Sequence, residues 1–242
     1  MNKVFIGFDT RLADAYMVAH KSLLVNASSQ LDVSPLLLPE LCAKGLYNRP
    51  MEKKDGVLYD CISEHPMSTE FAISRFLVPY LSGYKGWSVF FDSDFLFLDD
   101  INKVFELADP DKAIQVVKHD YNPDQTTKMD GQVQSKYNKK NWSSFILFNN
   151  EHPKVKQLTP KKVNTWRGKD LHTFEWLDEE DIGELPMGWN FLEGYTKIED
   201  IDHLHAIHYT HGTPDMPDHQ HAFYADLWRE YKRKVKICVS AS

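Results

Sequence analysis

The order of apolar and polar positions divides the chain into alternating strand-like and helix-like stretches. Lys3 to Asp9 (KVFIGFD) is a short β-rich run that ends on an acid. Arg11 to Asn26 follows with Ala15, Val18, Ala19 and Leu23 on one side, the spacing of a helix. A strand, a loop and a helix in that order open an α/β domain with a mostly parallel sheet. Val33 to Leu38 predicts a second strand, and Tyr47 to Pro66, mixed and rich in turn residues, reads as loop. Ser68 to Leu81 predicts a second helix, with Ser68 as its N-cap, Thr69 and Glu70 in its first turn, and Pro79 near its end.

Trp87 to Leu98 (WSVFFDSDFLFL) is the most apolar stretch and reads as a central strand with a short continuation, interrupted by two aspartates. Ala113 to Lys118 and Ser144 to Asn149 are further strands. His119 to Asn141 is a long polar loop, a kind that is usually functional. Leu185 to Leu192 and Ala206 to Thr210 are late strand candidates, and Phe223 to Val235 predicts an amphipathic terminal helix. The expected organisation is one domain over residues 1–242, with 215–242 as a C-terminal helical extension.

Composition narrows the function classes. Hydrophobic residues at 42% and charged residues at 26% are globular proportions. A net charge of −7 argues against a general nucleic-acid binder, although Arg229, Lys232, Arg233, Lys234 and Lys236 form a local basic patch. With Phe223, Tyr224, Trp228 and Tyr231 beside it, that patch is a candidate for peripheral contact with an anionic membrane. Cys42, Cys61 and Cys238 have neither metal nor redox spacing. The N-terminal apolar run is too short for a signal peptide, and no stretch reaches the length of a membrane span. The expectation is a cytoplasmic protein, so the sequons at Asn26 and Asn141 read as chance matches.

The chemistry concentrates at Asp92-Ser93-Asp94. Carboxylates at i and i+2 of an extended backbone share a face. At a strand end in an open α/β sheet they point into the crevice where ligands bind. Their mutual repulsion is resolved by a hard divalent cation, Mn²⁺ or Mg²⁺, which also bridges substrate phosphates. A bare pair of this kind is also an ordinary polar strand end. Here Phe90 and Phe91 before it, and Phe95 to Phe97 after it, mark a buried edge instead of a solvated acidic run.

The segment SVFFDSDFLFLDDI (88–101) resembles the D-x-D strand of GT-A-fold glycosyltransferases, especially family 8-like enzymes. Other pieces follow in the matching order: KVFIGFDTR, STEFAISRFLVPYL, NWSSFILFNN, LPMGWNFLEG and AIHYTHGTP. The resemblance covers most of residues 3 to 215. It implies a Rossmann-like, mixed but mostly parallel sheet flanked by helices, and transfer of a sugar from a nucleotide-sugar, with UDP favoured, to a hydroxyl of a glycan or glycolipid. It further implies that Phe8, Asp9 and Thr10 lie by the base or ribose, and Arg75 by the phosphates or sugar. Asp92 and Ser93 would lie at the nucleotide, with Asn141, Trp189, His211 and Gly212 also lining the donor site. Asp92, Asp94 and His208 would hold Mn²⁺ or Mg²⁺. Thr213 departs from the resemblance, because family 8 enzymes often carry a phosphate-contacting lysine there.

Other readings accompany these. Asp9 is equally suited to capping the first turn, Arg75 to a surface ion pair, and Trp189 to core packing. Trp142 and Trp176 are alternative platforms for a sugar face. An inverting reaction would need a base near the acceptor, and Asp178, Glu179, Glu180 and Asp181 are candidates. The rival functions are a metal-dependent phosphohydrolase using Asp92 as nucleophile, and a non-catalytic sugar- or metal-binding module.

Overall fold

The opening run folds as β1 (Asn2–Gly7), with Val4, Phe5 and Ile6 buried on both faces, as a strand with two neighbours requires. This is seen in a computed structural model that describes residues 1–54, 56–120 and 139–240. Helix α1 (Ala13–Asn26) carries the chain to β2 (Leu31–Leu36), which lies parallel to β1. Helix α2 (Leu38–Ala43) leads into β3 (Met51–Lys54), β4 (Val57–Asp60) and β5 (His65–Pro66), a small antiparallel sheet. That sheet replaces the loop expected over 47–66. The apolar alternation there is weak because all three strands stay largely on the surface.

The helix expected over 68–81 is only a 3-10 turn, Ser74–Leu77, and one α turn, α3 (Val78–Leu81). Ser68 caps nothing, and its carbonyl accepts from Arg11. Phe71 to Val78 are buried without interruption, so no solvent face of helical period exists. The segment runs so close to the sheet that a Cβ on Gly7 would stand 2.5 Å from the Phe71 ring.

The most apolar stretch splits into β6 (Trp87–Phe91) and β7 (Phe95–Phe97), which belong to different sheets. After α4 (Asn102–Glu106) come β8 (Ile114–Val116) and β9 (Phe145–Asn149). Residues 121–138 of the polar loop lie outside the described residues. Helices α5 (Pro160–Thr165) and α6 (Gly168–His172) precede β10 (Ile182–Glu184). The strand expected over 185–192 is a 3-10 turn, Met187–Asn190, followed by the two-residue β11 (Phe191–Leu192). Pro186 and Gly188 break the extended run. Strand β12 (Ala206–His208) and helix α7 (Ala225–Ser240) complete the chain.

The main sheet has the order β10-β8-β9-β6-β1-β2, with β9 antiparallel to both neighbours and the other pairings parallel. The mixed, mostly parallel α/β sheet expected from the sequence is therefore present. Alternate residues feed two cores. Phe5, Phe90, Ile146 and Phe148 pack with the Phe71–Val78 segment, while Val4, Ile6, Val89, Phe91 and Leu147 pack with α1. From β1 the chain goes to β2 on one side and later to β6 on the other. This is a topological switch, and the crevice outside such strand ends is where open α/β sheets bind ligands. Asp9 follows β1 there, and Asp92 follows β6.

A second sheet, β11-β12-β7, supports the crevice from below. Helix α7 packs on it and on α1 through Trp228 and Tyr231, together with Val18, Leu96, Ile207 and Tyr209. Those two aromatics therefore face the protein. Lys232 is engaged with Asp14 at 2.7 Å and Asp215 at 2.8 Å, whereas Phe223 and Tyr224 are exposed. No helix among the described residues is long and apolar enough to cross a membrane.

A buried ion pair fixes the small sheet. The Arg49 guanidinium binds both oxygens of Asp60, with Nε to Oδ1 at 3.0 Å, and donates to the carbonyls of Val163 and Trp166 at 2.7 Å each. Removing one partner strands a buried charge. Asp60→Asn is expected to cost about 3–5 kcal/mol, read as a lowered urea midpoint at neutral pH. A loss under about 1 kcal/mol would assign the pair no structural weight.

Candidate functional site

Chain register builds the site. Strand β12 runs antiparallel to β7 with Ala206 opposite Phe97, Ile207 opposite Leu96 and His208 opposite Phe95. The ladder continues one step, as Tyr209 N–H donates to the Asp94 carbonyl at 3.0 Å. Asp92 leaves β6 with its N–H bonded to the Ser144 carbonyl at 3.0 Å. Asp92, Asp94 and His208 thereby converge, with one donor atom from each within 4.8 Å of the others.

Each member is braced. Arg75 Nη1 sits 2.7 Å from Asp92 Oδ1 and donates to the Ser143 carbonyl at 2.7 Å, while its Nε donates to the Ala72 carbonyl at 3.0 Å. The Arg75 guanidinium also lies 4.9 Å from the Phe90 ring centre, a cation–π contact. It is buried, contrary to the surface reading. The His208 ring stacks on Phe95 at 4.5 Å.

A hydrogen-bond chain sets the imidazole. Ser144 Oγ donates to the Asn141 carbonyl at 2.6 Å, and Asn190 Nδ2 donates to Ser144 Oγ at 2.9 Å. Asn190 Oδ1 must therefore accept from His208 Nδ1 at 2.9 Å. That arrangement leaves the Nε2 lone pair of the neutral ring 3.3 Å from Asp94 Oδ1. Asp94 Oδ1 is buried without a hydrogen-bond partner. A nitrogen lone pair facing a buried carboxylate oxygen is unfavourable, and either a proton on Nε2 or a metal cation between the two atoms relieves it. Two carboxylates and one oriented imidazole suit Mn²⁺ or Mg²⁺, with the Asn190 contact as the outer bond that metal-ligating histidines make. The residues present fit a divalent ion.

A cavity of about 490 Å³ opens beside Asp92. Its wall includes Arg75, Lys140, Asn141, Ser143, Ser144, Asp170 and His172. Asn141 lines the cavity with Asp92, and Ser93 lies between the two aspartates, its hydroxyl buried without a hydrogen-bond partner. The remaining residues singled out from the sequence fall elsewhere. Asp9 is fully buried as the cap of the first turn, accepting from Arg11 N–H at 2.9 Å and Glu70 N–H at 3.1 Å. Burial would raise its carboxyl, but the Arg11 and Glu70 hydrogen bonds outweigh it and hold the pKa below the usual range. Thr10 is exposed and donates to Glu70 Oε1 at 2.6 Å, and Phe8 packs edge-on to Tyr16.

Trp189 lies in the core, stacked on His205 at 4.2 Å, and not on the cavity wall. His211 is half-buried, and burial lowers its pKa. Gly212 lets the His219 ring pass, since a Cβ would stand 2.2 Å from it. Asp178 and Asp181 form a capping box and both bind Lys154, while Glu179 pairs with Lys139. None of that acidic run lines the cavity. The sequence reading missed Asn190, Ser144, Lys140 and His119. His119 is buried next to the site, and burial, with His208 adding to it, holds its pKa down at about 3.

A second group, Asp99, His203 and His205, sits at the far end of β7. Burial would raise the Asp99 carboxyl. Hydrogen bonds from Lys103, the Asp100 amide and His205 outweigh it and hold the pKa at about 2. Lys103 contacts both carboxylate oxygens, at 2.8 and 3.0 Å, so this acid already has its countercharge.

The fold is that of GT-A glycosyltransferases. A structure of the galactosyltransferase LgtC, in complex with donor and acceptor sugar analogues, aligns with a TM-score of 0.60 at 11% identity, covering 96% of this chain and 95% of that one. The bifunctional glycosyltransferase WbbM aligns with a TM-score of 0.60 at 15% identity, and GlyE of Streptococcus pneumoniae with 0.58 at 17%. The chain spans only 49% of WbbM and 61% of GlyE, while 96% of its own length is covered in each case. No protein-family model matches. The chain belongs to the family of Protein CDI of Arabidopsis thaliana, to which it is 43% identical over 241 residues, 97% of this chain and 88% of that protein.

Because the folded state favours ionised Asp99, its contribution to stability is fully present above pH 3.8 and is lost as pH falls through about 2. Asp99→Asn is expected to remove about 1 kcal/mol at neutral pH, discounted for the exposed Lys103 partner. The gap between variant and parent in chemical denaturation should narrow as acid is added. A gap that stays constant down to about pH 2.5 would contradict this assignment.

Proposed function

We propose that the chain is a metal-dependent glycosyltransferase that moves a sugar from a nucleotide-sugar to a hydroxyl of a carbohydrate acceptor. The observation that carries this reading is the Asp92–Asp94–His208 cluster, set at the switch point of a GT-A sheet and containing a buried carboxylate oxygen without a hydrogen bond. Mn²⁺ or Mg²⁺ bound there would supply Lewis acidity toward the departing diphosphate.

The chain's own residues do the remaining work. Arg75 fixes Asp92, Asn190 fixes the tautomer of His208, and the ladder between β7 and β12 fixes Asp94 against His208. Phe91, Phe95 and Phe145 form a dry support behind the cluster, which strengthens every charge interaction in front of it. The cavity beside Asp92 is of a size that accommodates a sugar. If the acceptor hydroxyl gives up its proton to a side chain, Asp170 is the carboxylate placed for it. Asp60 on the same wall is committed to Arg49, and the Asp178–Asp181 run is committed to caps and lysines. UDP is the favoured carrier, on the resemblance of the motifs. A hexosyl or deoxyhexosyl group, a glycan or glycolipid acceptor, and a cytoplasmic setting with peripheral membrane contact complete the reading.

The test is hydrolysis or transfer across a panel of nucleotide-sugars with Mn²⁺. Asp94→Ala and His208→Ala should each lower metal-dependent turnover at least about 100-fold, and Asn190→Ala should weaken Mn²⁺ binding roughly 10- to 100-fold. Turnover that survives both chelation and Asp94→Ala would sink the metal-dependent reading. Cleavage of a simple phosphomonoester with no action on any nucleotide-sugar would favour the phosphohydrolase instead.

A further inference from the structure

The end of β7 remote from the Asp92 cluster brings together Asp99, His203 and His205, with one donor atom from each within 4.8 Å of the others. The chain holds two of the three firmly. His205 N–H donates to the Gly188 carbonyl at 2.9 Å, and the His205 carbonyl accepts from Leu98 N–H at 2.9 Å. Its ring lies flat on Trp189, with centroids 4.2 Å and planes 5° apart. Only glycine fits at 188, because a Cβ there would stand 1.8 Å from the His203 carbonyl. Asp99 Oδ1 accepts from Asp100 N–H at 2.7 Å. Asp99 Oδ2 faces both imidazoles, 2.7 Å from His205 Nδ1 and 3.5 Å from His203 Nε2. The His203 side chain is 65% exposed, so the third arm is movable and an ion has an open path.

The countercharge that Asp99 already has does not close this site. The Lys103 side chain is 52% exposed and pairs with Asp99 across one helical turn. Such a pair contributes little, because solvent screens it and a long side chain must be held still. A divalent ion competes for the same oxygens with twice the charge, and it also uses imidazole nitrogens that a lysine cannot. The donor set differs from that of the first cluster. Two carboxylates and one imidazole suit a hard ion, whereas two imidazoles and one carboxylate suit a borderline ion such as Zn²⁺. Bonds of about 2.0–2.2 Å in a tetrahedron set the donors roughly 3.3–3.5 Å apart. The separation of His203 from Asp99 already matches. That of His205 from Asp99 is a hydrogen-bond distance, and it opens by about 0.6 Å when an ion takes the proton's place.

We propose that Asp99, His203 and His205 form a second metal site, suited to Zn²⁺ and separate from the Asp92–Asp94–His208 cluster. The ion lies between His205 Nδ1 and Asp99 Oδ2, with His203 Nε2 as third ligand and water as fourth. His205 stays neutral by carrying its proton on Nε2, and Lys103 swings into solvent with its charge. A bound ion ties the end of β7 to the loop that rests on the Met187–Asn190 turn, whose last residue orients His208. The site stands independently of the glycosyltransferase reading.

Calorimetry of the full chain carrying Asp94→Ala, which disables the first cluster, reads the second site alone. It should take up one equivalent of Zn²⁺, and Co²⁺ in its place should give the intense visible absorption of a four-coordinate ion. His203→Ala, at an exposed side chain, should weaken Zn²⁺ binding at least about tenfold and leave the melting temperature of the metal-free protein unchanged. Lys103→Met removes the competing cation and should tighten Zn²⁺ binding at least about twofold. The same titrations in a His208→Ala background serve where Asp94→Ala does not fold. A chain that takes up no equivalent of Zn²⁺ overturns the proposal. So does a Zn²⁺ affinity indifferent to His203→Ala, or one that falls in Lys103→Met.

Discussion

Two carboxylates and an imidazole share a nearly dry strand end, and the surrounding structure answers the electrostatic cost of that arrangement. Asp94 is 8% exposed and His208 2%, so solvent cannot screen them. Isolated ionised groups of this kind are strongly disfavoured in a protein interior. Arg75 answers for Asp92 from within the chain. Among the described residues Asp94 meets no comparable cation, only the oriented nitrogen of His208. Asp92 is ion-paired with Arg75, yet its Oδ1, like that of Asp94, is buried without a hydrogen bond, and two such oxygens two residues apart distinguish this strand end from a polar turn.

The scaffold is rigid where the site needs it. Strand β6 is paired on both sides, and its end is tied through the Asp92 amide to Ser144. Behind the cluster the rings of Phe91, Phe95, Phe97 and Phe145 pack within 4.7 to 6.2 Å of one another. Close-packed aromatic cores of this kind transmit displacement instead of absorbing it. The opposite wall is assembled from short pieces: the small sheet, the 3-10 turn at Ser74–Leu77 and helices α5 and α6, with Arg49 tying the small sheet to the end of α5. A stiff floor and a pieced wall fit a site that must hold charge in one geometry while its cavity is shaped by loops.

The sequence disclosed the floor far better than the wall. Strands β1, β6 and β9 are buried on both faces, so their apolar runs are continuous and stand out. The two aspartates interrupt such a run, which made them visible. His208 was legible only through the motif around it, because a lone histidine beside Ile207 and Tyr209 reads as core. Asn190 and Lys140 were not legible. Asn190 acts through hydrogen bonds that have no sequence period, and Lys140 sits at the end of a polar stretch that suggests exposure. Its two neighbours, Lys139 and Asn141, adopt left-handed conformations, which pattern reasoning does not anticipate for a lysine. The 68–81 stretch failed for a related reason. It carries helical composition, but burial on every side removed the amphipathic period that a surface helix shows.

The ladder between β7 and β12 also imposes an order in time. Its partners, Phe95 and His208, are separated by more than a hundred residues of chain. During synthesis Asp92 and Asp94 emerge long before the strand that brings the imidazole beside them. A nascent chain therefore holds only two thirds of the cluster until β12 is made and docked. Loading of the ion proposed for this cluster would thereby be coupled to completion of the domain.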